Sequence, residues 1–316
     1  DPPRPEAKRT INSAAFEQLA EACGFTDKQL RSWNLHGYPG VEMPNVAVLT
    51  PPHVGALKQA AAYEERNQRD VDAGFCSQCI PFPEIWPLIT DPCNIVVQNG
   101  KPRLTIDKTM WISGRVEIPP YNAMIDLVQQ SESAGRLTLV RVRDVARAAA
   151  ILMSPLKMFR PLKPHPQVKL KEAKWDAEAF FRMHSKQRSH VRASGRIFRS
   201  GVNVDWCCNF GERDAPDHTT RESDGCILFC RTEMLRLDAE YPTKAPELQM
   251  WLDHRRKLRK GHATDEQILW DVLFWACCYV DDGHCQAFDD LLFRQDGSPL
   301  MIQHVSSTGV VTLVQQ

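Results

Sequence analysis

Two carboxylates stand side by side at Asp281 and Asp282, directly behind a strand-like stretch. They constrain what the C-terminal part of this chain can fold into. Ile268–Phe274 is apolar and leads through Cys277-Cys278-Tyr279-Val280 to the pair. Gly283 follows, and Gln286-Ala287-Phe288 can return as a second strand. Asp282-Gly283 is a turn signal, so a β-hairpin with the carboxylates at its tip is expected. Adjacent carboxylates repel one another and favour a cation between them. Joined by a carboxylate from another strand, they can hold two divalent ions about 4 Å apart. All-oxygen ligands suit Mg2+ or Mn2+ better than zinc. A solvated Asp-Asp-Gly turn is the competing reading, because short motifs also arise by chance.

A third carboxylate stands ready upstream. Val168–Trp175 reads as a strand ending at Asp176, 105 residues before Asp281. Ala177–Met183 then reads as a helix start, with Asp176 as its cap. Between Asp176 and the hairpin lies Asn209-Phe210-Gly211-Glu212-Arg213-Asp214-Ala215-Pro216. This is a glycine turn leading into a helix that Pro216 opens and that runs towards Leu235. Further upstream, Asn94–Gln98 and Arg103–Asp107 flank Asn99-Gly100, a second hairpin signal.

Strand–Asp–aromatic, then Phe-Gly-x-x-x-Ala-Pro, then Tyr-Val-Asp-Asp, in this order, resembles the palm of retrotransposon-type reverse transcriptases. The likeness is to those of long-terminal-repeat and tyrosine-recombinase elements, and it spans about residues 94–288. It implies that Asp176 is the first metal-binding Asp, with Asp281 and Asp282 as the motif C pair and Tyr279 the aromatic before it. Phe181 would stack under the incoming sugar, although Phe180 competes for that place. Phe210, Gly211 and Pro216 would form the turn that packs on the template base and nucleotide. Lys101 and Arg103, the latter four residues before Asp107, would grip the triphosphate. A solvated basic residue beside a turn is the alternative for both.

The resemblance also implies two Mg2+ (or Mn2+) ions, a dNTP, and an RNA or DNA template-primer duplex. The primer 3′-hydroxyl attacks the α-phosphate and pyrophosphate leaves. A ring at Phe181 would collide with a ribose 2′-hydroxyl. RNA polymerases of viral type usually carry an Asp near that place, and none lies in the five residues after Asp176. Three readings compete with an active enzyme: a dead or domesticated relic that binds nucleic acid, a viral-type RNA-dependent RNA polymerase, and an unrelated globular protein.

Taken as a total, charge opposes a polyanion partner, since 39 Lys+Arg balance 39 Asp+Glu. The distribution is uneven. Residues 156–200 hold twelve Lys/Arg against three Asp/Glu. Lys174, Arg182, Lys186 and Arg188 in this block are candidate contacts to phosphate, which position a duplex without reading sequence. The competing reading is a solvated basic face. Cys76-x-x-Cys79 near Cys93 lacks a fourth ligand at suitable spacing for zinc. Eleven cysteines, an odd number with two adjacent pairs, point to a reducing compartment without a disulfide framework. No signal peptide or membrane span is expected, so an intracellular place, cytoplasmic or nuclear, is.

The expected fold is α+β: right-hand polymerase-like fingers and palm, with a small antiparallel sheet backed by helices. Residues 1–75 are a mostly helical leader of unassigned role. Its helices are expected near Phe16-Leu19-Ala20, capped at Asn12-Ser13, and over Ala56–Arg69. Residues 76–167 form the fingers and 168–316 the palm, with an exposed helical insertion near 237–262. Arg136–Val142 reads as a strand or as the approach to a helix over Val142–Met153. No thumb is expected within these residues, and beyond Asp282 the one Lys or Arg is Arg294. The chain opens at Asp1, so a fragment of a longer polyprotein is expected.

Overall fold

The computed structural model describes residues 11–82, 85–111, 118–125, 141–153, 170–176, 180–240, 242, 246–258, 274–279 and 282–288. The architecture is α+β, with small antiparallel sheets and helices packed against them.

Residues 11–75 are woven into the fold. Helix α1 (Ser13–Cys23) starts where the Asn12 side chain accepts from Ala15 N–H at 3.0 Å, as expected of a polar N-cap. Helix α2 (Lys28–His36), not anticipated from the sequence, is capped in the same way by Asp27. The expected helix over Ala56–Arg69 is two helices, α3 (Val54–Lys58) and α4 (Ala60–Asp72), interrupted at Gln59. Phe16, Ala20 and Leu30 close on Phe229 of the long helix α6 (Ala215–Glu240), and the Phe16 and Phe229 rings meet edge-on at 5.1 Å.

The first hairpin forms where Asn99-Gly100 places it. Strands β1 (Cys93–Gln98) and β2 (Lys101–Ile106) pair in full register from Cys93–Ile106 to Gln98–Lys101. Asn99 at φ 51° and Gly100 at φ 74° supply the left-handed pair such a turn requires. Its inner end packs Cys93, Ile95 and Ile106 against Tyr63 and Phe198. Burying each large apolar side chain contributes about 1.5–3 kcal/mol. Helix α5 (Val142–Leu152) opens at Val142 with Arg141 as its N-cap residue, and residues 136–140 of the expected strand lie outside the described residues.

Three strands form the second sheet, in the order β3 (Leu170–Asp176), β7 (Asp282–Phe288), β6 (Phe274–Tyr279). Asp282 and Gly283 were expected to be the hairpin turn. They instead open β7, because Tyr279 pairs with Asp282 and Cys278 with Gly283. Asp176 ends β3, as expected; the start of the helix expected over Ala177–Met183 lies outside the described residues, and Phe180–Met183 is a 3-10 turn. The short hairpin β4 (Gly195–Phe198) and β5 (Gly201–Val204) forms a third sheet. Helix α7 (Pro246–Leu258) falls inside the expected insertion but is not wholly exposed. Leu248, Trp251 and Leu252 make an i, i+3, i+4 stripe and are buried. Among the described residues no helix is long and apolar enough to cross a membrane.

Candidate functional site

Strand register assembles an acidic row. Asp176 lies directly opposite Asp282, and Asp282 directly opposite Tyr279. Residues paired this way share a face, with Cβ atoms about 4.5–5.5 Å apart. The next row on that face is Lys174, His284 and Cys277; the one after is Glu172, Gln286 and Trp275. The opposite face carries Ala276, Cys278 and Cys285, which pack on Ile227, Cys230 and Met234 of α6. Arg231 of α6 also donates to the Ala276 carbonyl at 2.9 Å. Covering one face with α6 turns the acidic row to the other.

Asp176 and Asp282 are exposed. Among the described residues neither side chain has an ion-pair or hydrogen-bond partner. Two carboxylates directly opposite one another are the hard oxygen donors a Mg2+ or Mn2+ ion takes. Among the described residues no three His, Cys, Asp or Glu side chains form a ligand cluster. Asp281, the expected third ligand, lies outside them.

Two candidate nucleotide-binding segments meet directly. The Phe181 ring lies 4.8 Å from the Phe210 ring. Phe180 is buried and sits edge-on to His184, while Phe181 is only partly buried and Phe210 is 52% exposed. The open ring after Asp176 is therefore Phe181. Gly211 has φ 118°, and a Cβ there would stand 2.4 Å from the Ile106 carbonyl oxygen. Only glycine lets the turn approach the end of β2 this closely. Asn122 fastens the same turn, donating to the Gly211 carbonyl at 2.7 Å and accepting from Arg213 N–H at 2.8 Å. Pro216 is the exposed second residue of α6.

Lys101 and Arg103 lie on β2, exposed, and their positions opposite Gln98 and Val96 put them on one face of the hairpin. Asp107 follows the strand. Partial burial pushes its carboxyl up, but hydrogen bonds from Thr109 and contact with His53 outweigh this and hold it below its ordinary value.

The basic block behaves differently from the expectation of a phosphate-binding surface. Lys174 and Arg188 are exposed. Arg182 and Lys186 are 5% and 3% exposed, and this corrects their assignment as nucleic-acid contacts. Arg182 Nη1 lies 2.6 Å from Asp205 and its Nη2 3.6 Å from Asp70. Arg196 completes that square, 3.1 Å from Asp70 and 3.5 Å from Asp205. Beside it, Lys186 pairs with Glu212, and Lys108 lies 2.5 Å from Asp91 and 3.7 Å from Glu212. Burial pushes Asp205 and Glu212 up, but the adjacent cations outweigh it and hold both below the usual carboxylate range. Charges taken from water must be paired, and here four cations alternate with four carboxylates. Lys108, Asp91 and Tyr38 were not singled out as charged or site residues from the sequence, and Glu212 only as an unusual charge in its turn. No local pattern marks them, since the Tyr38–Glu212 hydrogen bond spans 174 residues.

No protein-family model matches the chain, and no curated protein does. Among solved structures, prototype foamy virus protease-reverse transcriptase (a mutant form) is similar at 12% identity, with a TM-score of 0.35 over 78% of this chain and 21% of that one. Foamy viral protease-reverse transcriptase in complex with dsDNA matches at 12% identity and a TM-score of 0.36, over 86% of this chain and 44% of that one. A dRH form with dsDNA gives 12% and 0.37, over 90% and 40%. The chain thus spans less than half the length of these structures. TM-scores below 0.5 do not establish a shared fold.

Proposed function

We propose that this chain is the fingers-and-palm part of an RNA-directed DNA polymerase, a reverse-transcriptase domain of a retroelement within a longer polyprotein. It would extend a primer on an RNA or DNA template with dNTPs. One observation carries this reading: Asp176, Asp282 and Tyr279 stand in one row across three adjacent strands, with both carboxylates exposed and without an ion-pair partner among the described residues. An unrelated protein with a chance Asp-Asp turn has no reason to set a distant Asp opposite it.

In this reading Asp176 and Asp282, with Asp281, hold two Mg2+ or Mn2+ ions. When bound, such ions activate the primer hydroxyl and neutralise the triphosphate. The chain's own groups do the rest. Lys101 and Arg103 draw the triphosphate to one face of the hairpin and stabilise charge on the transferred phosphoryl group. Phe181 lies under the sugar and leaves no room for a 2′-hydroxyl. Phe210 and Gly211 close the pocket on the base side, and Lys174 and Arg188 contact duplex phosphates.

The test is primer extension with dNTP against NTP on RNA and DNA templates. Asp281→Asn and Asp282→Asn should each lower incorporation about 10³-fold, the scale of losing electrostatic stabilisation at a reacting centre. Phe181→Val should admit NTPs. Extension that survives Asp281→Asn would remove the two-metal mechanism. A second reading, the nucleic-acid-binding relic, draws on the lack of any lysine after Lys260. It expects duplex binding without extension.

A further inference from the structure

The turn that carries Phe210 and Gly211 continues into Glu212-Arg213-Asp214, an unusual place for so much charge. Glu212 does not face solvent; the residue is 3% exposed. Its carboxylate accepts from Tyr38 Oη, from Lys186 Nζ and, at 3.3 Å, from Asn209 Nδ2, with Lys108 Nζ at 3.7 Å. Burying a carboxylate costs several kcal/mol before its partners compensate. A turn needs no such group merely to be a turn.

The partners come from segments that already matter. Lys186 follows the 3-10 turn of Phe181 and also donates to Ser194 Oγ at 2.6 Å. Lys108 follows β2, the strand of Lys101 and Arg103, and donates to the Ala193 carbonyl at 3.0 Å. The Glu212 carboxylate is therefore where the Phe181 segment, the Lys101–Arg103 strand and the Phe210 turn are fastened together. Tyr38 adds the N-terminal region to the same point. Phe210, two residues from this anchor, stays half exposed against Phe181.

We propose that Glu212 is a positioning residue for the incoming nucleotide. It fixes Phe210 relative to Phe181 and to the basic face of the hairpin, acting through Lys186 and Lys108 without touching substrate. This rests on the polymerase reading above. A small misplacement of contacting groups is enough to cost 10- to 100-fold in a reaction that depends on orientation.

The experiment is single-nucleotide incorporation by the full chain with Glu212→Gln and Tyr38→Phe. Glu212→Gln keeps the shape and removes the charge that holds both lysines. The dNTP KM should rise about 10-fold while kcat stays within about 3-fold, which marks a loss of ground-state positioning. Tyr38→Phe removes one donor and should raise KM about 3-fold, so it decides the matter if Glu212→Gln does not fold. Phe16→Leu, in the cluster between α1 and α6, serves as the control for general loosening and should leave KM unchanged. An unchanged KM in a folded Glu212→Gln variant, or in Tyr38→Phe if that is the folded one, overturns the proposal. So does an equal rise in the Phe16→Leu control. If the wild-type chain extends no primer with any nucleotide, the polymerase reading itself fails and takes this one with it.

Discussion

The acidic row on β3, β7 and β6 and the interior ring around Arg182 and Lys186 both concentrate charge, and they treat it in opposite ways. In the ring, carboxylates and cations alternate at 2.5–3.7 Å, away from water. In the row, two carboxylates oppose one another in register, exposed. Like charges directly opposite on a sheet destabilise it. The interior charges answer to one another and hold segments together. The surface pair answers to nothing within the described chain and is left available to a cation from outside.

Removing Arg196 should produce the largest effect on stability. Arg196→Met leaves Asp205 with Arg182, and Asp70 with Arg182 and the more exposed Arg66 at 3.7 Å, where the side chains of Arg182, Asp70 and Asp205 are 0–8% exposed. Breaking a buried pair of this kind costs about 3–5 kcal/mol. Urea denaturation of the variant should show that loss. A loss below about 1 kcal/mol would mean that the ring is hydrated and no different in kind from surface pairs.

The same ring explains what was legible in the sequence. Hairpin β1–β2 was, because Asn99-Gly100 dictates a local turn. The strand ending at Asp176 was, from the spaced Val168, Leu170 and Trp175, and so was the strand before the Asp pair, from the apolar run Val272–Val280. The fate of the basic block was not. Arg182 and Lys186 look like Lys174 and Arg188 in a linear count, and only long-range pairing separates them. Asp70 stands 126 residues from Arg196, so no window of sequence holds both. Helix α2 was missed because four of its nine residues are charged or amide-bearing, Lys28, Gln29, Arg31 and Asn34, which mutes its apolar stripe. The turn at the tip was misplaced by two residues because Asp-Gly suits a hairpin turn, yet pairing of Tyr279 with Asp282 leaves room only for residues 280 and 281.

Glu222 sharpens the comparison from a third direction, as an interior carboxyl group with no cation beside it among the described residues. Asn34 Nδ2 donates to its Oε2 at 2.9 Å, and its Oε1 has no hydrogen-bond partner among the described residues. Burial, against the opposing Asn34 hydrogen bond, pushes it up to about 8. The folded state therefore holds a proton that the unfolded chain releases near pH 4.5, and stability falls as pH rises from there towards 8. Glu222→Gln keeps the Asn34 hydrogen bond and removes this dependence. The variant should match wild type near pH 4.5 and exceed it by on the order of a few kcal/mol at pH 8, at about 1.4 kcal/mol per unit. Thermal melts at pH 5 and pH 8 measure the difference. An equal gap at both pH values would mean that Glu222 is ionised in the fold and that a carboxylate can stay charged here without a cation.

The smallest expected effect tests the row itself. Asp282→Asn removes the repulsion between directly opposed carboxylates, so the variant should gain about 0.2–1 kcal/mol without added metal. This is the reverse of what Arg196→Met does in the ring. Added Mg2+ should then invert the order. A ligand that binds only the folded state stabilises it by RT ln(1 + [L]/Kd), about 1.4 kcal/mol at ten times Kd. Wild type would gain this and Asp282→Asn would gain much less, so the two melting curves should cross as Mg2+ is raised. Parallel shifts of both proteins would place any Mg2+ effect elsewhere. A loss of stability on Asp282→Asn without metal would show that the pair is already neutralised within the chain, and the contrast with the ring would then disappear.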